Sequence, residues 1–402
     1  MPRQWTTKQD KLVDLYESTS PYILAYGATG SGKTAASTAG FINWTLHFSS
    51  MTFGLVAKTG LQTVENVLPN CLQFCEEHGI PYAKLNAKSY RIGWNRFLLL
   101  DGANIGAANR IRGLNLAGVF IDEVNTIHVQ VMQELENRVR SADNGKIVLT
   151  ANPDNPQGWF HRDYISKADK IGMDVVSLLW ADNPSLHESV KERIRRTSTG
   201  AMYKRRVLGI AAPLHGLIYP EHTIDTPPDY REAEYWYVSV DPADSSSTHA
   251  LLIGEFENDF WVYDEFLWDA RMEGQLEHRK QVEKIKEWVG DKHISYCIYD
   301  PASPNFGMLL EEILNVPTYG AVKDVFEGIR MTQANLAEGD IKISNKVEHT
   351  IRELNTYQWD EKASERGEDK PLKSNDHAMD ALRYFCYFNH PQAYTGEIIR
   401  VR

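Results

Sequence analysis

A chain of 402 residues with 42% hydrophobic and 24% charged side chains is too long for one ordinary core, and a spacing of roughly 150 residues per domain suggests two or three, with two as the working count. No stretch approaches the roughly 20 uncharged apolar residues of a membrane-spanning helix, and Met1–Asp10 lacks the apolar run of a secretory signal, so function in a cytoplasm is expected and a membrane partner is excluded. The net charge of −11 argues against a polyanionic partner only when taken over the whole chain: residues 1–210 hold 24 Lys and Arg against 19 Asp and Glu, a net of +5, whereas residues 211–402 hold 19 against 35, a net of −16. Such asymmetry fits one half that grips a polyanion and another whose carboxylates take metal ions.

In chain order, the first informative element is an apolar strand, Ile23–Tyr26, which runs into Gly27-x4-Gly32-Lys33-Thr34, the P-loop pattern. Gly27, Thr29, Gly30, Ser31 and Gly32 can turn their backbone N–H groups onto phosphates. Lys33 can reach the terminal phosphates, and Thr34 offers a hydroxyl to Mg²⁺ at a helix N-terminus. ATP and Mg²⁺ are therefore the expected cofactors of the first half. Trp5 and Gln9, ahead of that strand, stand where adenine would be recognised.

Further strands are expected at Thr52–Ala57, Phe97–Leu100, Gly118–Ile121 and Lys146–Ala151, with helical spacing at 60–78 and 129–139, which together predict a parallel sheet covered by helices on both faces. The strand ending in Asp122 and Glu123 supplies what a P-loop lacks for hydrolysis. Asp122 can hold Mg²⁺ and Glu123, on the other face of the pleat, can align and deprotonate water. Thr150 and Asn152 close the next strand where polar groups can sense the γ-phosphate. Arg112, just upstream of the acidic strand, is the candidate guanidinium for transition-state charge, in cis or in trans.

Residues 183–207 gather Lys191, Arg193, Arg195, Arg196, Lys204, Arg205 and Arg206 in a helical stretch, and the Pro- and Gly-bearing segment 211–220 marks the domain boundary. The domains are thus expected at 1–210, with a basic linker region over about 183–210, and at 211–402. The second half opens with a predicted meander, Tyr235–Val240, Ala250–Glu257 and Phe260–Phe266. A helix over Glu273–Val289, a strand at Ile294–Tyr299, a helix at Asn305–Leu314, a mobile loop at Ser364–Asn375 and a last helix at His377–Phe388 follow. The four cysteines, Cys71, Cys75, Cys297 and Cys386, are scattered and are read as buried thiols.

Asp241 and Asp300 each end an apolar strand, and Asp376 opens the last helix with Asp380 one turn on. Carboxylates are hard ligands suited to Mg²⁺ or Mn²⁺, and two such ions roughly 3.5–4 Å apart can cleave a phosphodiester. Asp241, Asp300 and Asp376 are therefore candidate catalytic metal ligands, with Asp380, Asp244 and His377 as auxiliaries.

Taken together, Gly27–Thr34, Phe120-Ile-Asp-Glu123, Thr150-Ala-Asn152, the three aspartates and Asn375-Asp-His-Ala-Met-Asp-Ala-Leu-Arg-Tyr384 resemble the large subunit of tailed-bacteriophage terminases over essentially the whole chain. The sequence differs from many members in having Ala28 and Thr29 where a basic residue stands early in the P-loop. The resemblance implies an ASCE-type P-loop ATPase domain followed by an RNase H-like nuclease domain. It implies ATP-driven translocation of double-stranded DNA into an empty capsid and metal-dependent cutting of concatemers, in the cytoplasm of an infected bacterium. Its partners would be a small terminase subunit, the portal of the procapsid and further copies of the chain in a ring of five. The alternatives are a helicase-nuclease or repair ATPase, for which the chain lacks room for a second motor lobe, and an adaptor that binds DNA and portal without cutting. Local basic residues, Lys370 and Lys373, are expected to offset the nuclease acids.

Overall fold

The computed structural model describes residues 4–15, 17–198, 200–243, 247–257, 259–374 and 376–389; Asp244 and Asn375 lie outside the described residues. The chain divides into two compact units, Met1–Leu214 with Lys362–Glu368, and His215–Glu361 with Asp369–Arg402. The division falls after Leu214 rather than after residue 210. The larger difference is residues 362–368, expected in the second half and, from Ser364 on, in a mobile loop, but belonging to the first unit. A short helix, Glu361–Glu365, buries Ala363 and Ser364, and Asn155 Nδ2 donates to Ser364 O at 2.8 Å and to its Oγ at 3.1 Å.

The first unit is built on an eight-stranded sheet: β1 (Tyr22–Gly27), β2 (Thr52–Ala57), β3 (Tyr82–Asn86), β4 (Ser89–Ile92), β5 (Asn95–Asp101), β6 (Gly118–Ile121), β7 (Lys146–Ala151) and β8 (Met173–Leu178), in the spatial order β3-β4-β5-β2-β6-β7-β1-β8. From β5 to β8 the neighbours run parallel, while β3, β4 and β5 form an antiparallel edge. The pleat sends alternate side chains of β6 to opposite faces. Phe120 enters one core with Phe41, Phe53 and Phe97, whereas Val119 and Ile121 enter the other with Ile111, Met132 and Leu135. Strand β7 lies between β1 and β6, so the carboxyl ends of all three open on one edge of the sheet, where P-loop, Asp122 and Asn152 stand side by side.

The helix that follows the P-loop, Lys33–Thr45, is fixed at its far end by Asn95. Buried to 2% exposure, its Nδ2 donates to Thr45 O and Phe48 O at 2.8 and 2.9 Å, and its Oδ1 accepts from Met51 N at 3.0 Å. One side chain thus satisfies a carbonyl left over at the helix end and ties it to the sheet. The 60–78 helix is interrupted by a π segment, Thr63–Val67. The basic stretch 183–207 forms two helices, Glu188–Arg196 and Gly200–Arg206.

The second unit holds a seven-stranded sheet of β9 (Ile224–Asp225), β10 (Tyr235–Asp241), β11 (Ser247–Phe256), β12 (Asp259–Asp269), β13 (Ile294–Tyr299), β14 (Thr318–Gly320) and β15 (Ile341–Ser344), ordered β14-β13-β10-β11-β12-β15-β9. The central three strands form the expected antiparallel meander, and β13 joins β10 in parallel. Helix Glu273–Val289 does not form as expected. Gly274, at φ 84°, ends a short helix at Glu273, and the next begins at His278. Helix His377–Phe388 lies on β10 and β11 and is almost wholly buried from Ala378 to Cys386. All four cysteines are buried and free. Among the described residues no helix is long and apolar enough to cross a membrane.

The Asn95 clamp generates a stability prediction. Replacing Asn95 with Ala strands buried backbone donors and acceptors, and should destabilise the first unit by about 1–3 kcal/mol. Scanning calorimetry would read this as a lower first transition; an unchanged transition would contradict it.

Candidate functional site

At the sheet edge of the first unit, backbone conformation does what the glycines allow. Gly30 and Gly32 take φ 76° and 85°, and a Cβ on Gly27 would fall 1.9 Å from Leu178 O, so only glycine lets β8 close against the loop. The loop is then braced from outside. Trp180 Nε1 donates to Thr29 O at 2.7 Å, Asn183 Nδ2 to Gly30 O at 2.7 Å, Ala28 N to Leu178 O at 3.1 Å, and Thr29 N to Arg206 O at 3.0 Å. None of these braces was expected from the sequence. Gln9 is buried over the loop, its Nε2 2.7 Å from where a Cβ on Gly32 would stand, and Trp5 packs against the adjoining core.

Lys33 is buried and its ammonium donates to Gly27 O, Ala28 O and Asn152 Oδ1 at 3.0, 2.7 and 2.8 Å. Burial lowers its pKa to about 8, against the pull of Glu123 and Asp122. Asn152 uses its other end on the acid pair, Nδ2 donating to Glu123 Oε1 at 3.0 Å. Asp122, pushed up by burial, is held by two hydroxyls on one oxygen: Thr34 Oγ1 at 2.9 Å and Thr150 Oγ1 at 2.7 Å. Thr150 also accepts the backbone N–H of Glu123 at 2.9 Å. That bond helps to hold Glu123 in the left-handed region, φ 47° and ψ 54°, a conformation that costs a non-glycine residue about 1–2 kcal/mol. The Glu123 side chain is exposed, turned to where solvent can reach it. Arg112 is not part of this constellation. It is exposed at the end of helix Ile105–Ile111 with its Nε 3.6 Å from Glu134 Oε2.

In the second unit Asp241 ends β10, Asp300 follows β13 directly, and both face Tyr384 of the last helix, whose hydroxyl lies 3.4 Å from Asp241 Oδ1 and 3.2 Å from Asp300 Oδ2. His377 Nδ1 meets Asp241 Oδ2 at 2.7 Å, a contact that raises the histidine pKa; burial raises that of Asp241. Burial also pushes Asp300 upward, but Lys323, 2.6 Å from its Oδ1, and the N–H of Ala302 outweigh it and hold the carboxyl low. Asp376 is raised by burial and then by the charge of Asp380. Arg383 donates to Asp380 Oδ1 at 2.7 Å. The basic side chains that meet Asp300, Asp241 and Asp380 are Lys323, His377 and Arg383.

The donors fit Mg²⁺ or Mn²⁺ in kind, being carboxylates on adjacent strand ends that share one hydroxyl. Among the described residues, however, no three His, Cys, Asp or Glu side chains close on a common point ready to hold an ion. Asp241 and Asp300 are brought together as expected; Asp376 reaches Asp241 only through its electrostatic influence, and Asp380 is taken by Arg383. Tyr384 closes the C-terminal motif Asn375–Tyr384 but was given no role from the sequence, and Lys323 carries no motif of its own.

A P-loop strand separated from an acidic strand by one intervening strand in one unit, and strand-end aspartates under a C-terminal helix in the other, define a two-part α/β protein with an ASCE-type P-loop sheet and an RNase H-like sheet. A terminase RNase H-like domain family model matches residues 312–387. The large terminase of a thermophilic bacteriophage superposes with a TM-score of 0.90 at 29% identity, covering 96% of this chain and 99% of that one. The complexes of that terminase with ADP and with ATP-γ-S give TM-scores of 0.89 and 0.88 at 29% identity, each covering 95% of this chain and 98% of the other. Comparison with curated proteins yields no match. Over nearly its whole length the chain is thus similar to a large terminase, and residues 312–387 match the terminase RNase H-like domain.

Thr150 offers a test of the acid-pair geometry. Thr150→Val removes the hydroxyl that serves both Asp122 and Glu123 and should destabilise the first unit by about 1–3 kcal/mol, while Thr150→Ser stays close to the parent. Equal losses in the two variants would show that the methyl, not the hydroxyl, is what the site uses.

Proposed function

We propose that this chain is a packaging motor and nuclease: the first unit hydrolyses ATP to translocate double-stranded viral DNA into an empty capsid, and the second cuts concatemeric DNA. The observation that carries the motor reading is the bridge from Lys33 through Asn152 to Glu123, because it joins the group that would grip the terminal phosphate to the one that would activate water. On binding ATP, Lys33 exchanges the Gly27 and Ala28 carbonyls for phosphate oxygens while backbone N–H groups of residues 29–34 wrap the chain of phosphates. Thr34 and Asp122, joined at 2.9 Å, would hold Mg²⁺, which would supply positive charge to offset that developing on the phosphates. Glu123 orients the attacking water and takes its proton, and Asn152, released from Lys33, reports the state of the γ-phosphate. Arg112, exposed on the surface of its unit, serves as a guanidinium offered to a neighbouring copy. Gln9, over the P-loop, is assigned to adenine recognition. The ADP and ATP-γ-S complexes of the thermophilic phage terminase support the binding of a nucleotide.

In the second unit, Mg²⁺ or Mn²⁺, two ions held by Asp241, Asp300 and Asp376 with Asp380 beside them, would supply an activated water and stabilise the leaving oxygen. The chain's own part is positional: the Tyr384 hydroxyl spans Asp241 and Asp300, and His377 and Lys323 neutralise those acids until they yield to cations. The proposed partners are double-stranded DNA, a small terminase subunit and a portal carrying a pentameric ring of this chain, in the host cytoplasm.

Two variants test the two halves separately. Lys33→Ala should abolish DNA-stimulated ATP hydrolysis, and full hydrolysis would overturn the motor reading. Asp300→Asn should abolish Mn²⁺-dependent plasmid nicking without lowering ATP hydrolysis; undiminished nicking would remove Asp300 from the site.

A further inference from the structure

Helix His377–Phe388 carries Asp376 at its N-cap and Asp380, Arg383 and Tyr384 within its first turns, yet the N-cap side chain makes no capping bond. The free N–H groups are taken from elsewhere. Glu353 Oε2 accepts from Ala378 N at 2.8 Å and from Met379 N at 3.3 Å. Glu353 belongs to a short helix, Glu348–Leu354, whose own start is held in the same fashion: Glu265 Oε1 accepts from His349 N at 2.8 Å, and its Oε2 from Thr350 N and Thr350 Oγ1 at 2.9 and 2.7 Å. Glu265 in turn meets His249 Nε2 at 3.1 Å, and His249 is the cross-strand partner of Asp241. The circuit closes on the acid site, since Asp241 meets His377, the first residue of the capped helix.

We propose that Glu353 is a positioning residue of the nuclease. By satisfying the Ala378 and Met379 N–H groups it fixes the helix start that aims Asp376, His377 and Tyr384 at Asp241 and Asp300, and Glu265 holds Glu353's own helix in place for that task. Glu353 touches none of the reacting groups; it acts through the helix N-terminus, whose exposed N–H groups otherwise draw water or the Asp376 carboxylate itself into the gap. Burial pushes the Glu353 carboxyl up, to about 8, and since both bonds fall on the one oxygen Oε2, glutamine, whose carbonyl oxygen can accept both, is its nearest mimic.

The inference rests on the nuclease reading above, and plasmid nicking by the full chain in Mn²⁺ separates the two. No nicking by the parent protein, or nicking equal in Asp241→Asn, would end the nuclease reading itself. With a parent that cuts, Glu353→Ala is expected to lower kcat for nicking about tenfold or more and to raise the Mn²⁺ concentration needed for half-maximal rate. KM for DNA and the rate of ATP hydrolysis should stay unchanged, and Glu353→Gln should restore most of the loss. Parent-like nicking by Glu353→Ala would overturn the proposal. So would a Glu353→Gln protein that folds, hydrolyses ATP normally and nicks no better than Glu353→Ala. Where Glu353→Ala fails to fold, the glutamine variant decides alone: parent-like nicking and Mn²⁺ dependence support the proposal, and a tenfold loss overturns it.

Discussion

A single carboxylate oxygen, Asp122 Oδ1, receives the hydroxyls of Thr34 and Thr150, and the rest of the first unit is arranged so that these three can meet. They come from the helix after β1, the end of β6 and the end of β7, and only a parallel sheet with β7 between the other two places all three at one edge. The same order makes Asn152 a bridge between Lys33 and Glu123. Burial works against the charges held here, lowering Lys33 and raising Asp122, so the site depends on those hydrogen bonds being made. The left-handed conformation of Glu123 shows where the strand must break to turn its carboxylate outward.

The second unit solves a different electrostatic problem with the same device of strand ends. Asp241, Asp300, Asp376 and Asp380 repel one another in a unit already strongly acidic, and three basic side chains meet these acids: His377, Lys323 and Arg383. The positive excess of the first half is also less available to a polyanion than counting suggests. Arg205 and Arg206 are buried, Arg206 donating to Ser198 Oγ, and Lys191 and Arg195 pair with Glu188 and Glu192. The basic helices therefore serve in part to brace the P-loop, through Arg206 O and the neighbouring Asn183 and Trp180.

Features carried by contiguous residues were readable from the chain. The P-loop declares itself in eight residues, and Asp122, Glu123, Asp241 and Asp300 stand at the ends of apolar runs that form strands for the reason their patterns suggest. What escaped depends on partners far away in sequence. Strand β8 has an exposed, mixed face and is a strand because β1 is beside it; the β3–β4 hairpin is held by β5. Residues 362–368 look like a charged loop and become ordered because Asn155 reaches Ser364 across 209 positions. Glu353 and Lys323 gain their place from Ala378 and Asp300, which no local pattern connects to them.

The central claim, that nucleotide held at Lys33, Asp122 and Glu123 moves DNA, is tested most directly by mixing the purified chain with empty capsids of its own virus, the small terminase subunit and linear duplex DNA, and measuring DNA protected from added nuclease. Protection should grow with time in ATP and be absent with ATP-γ-S. Protection without hydrolysable nucleotide, or none with it while the chain hydrolyses ATP, would mean that hydrolysis at this site does not drive DNA movement.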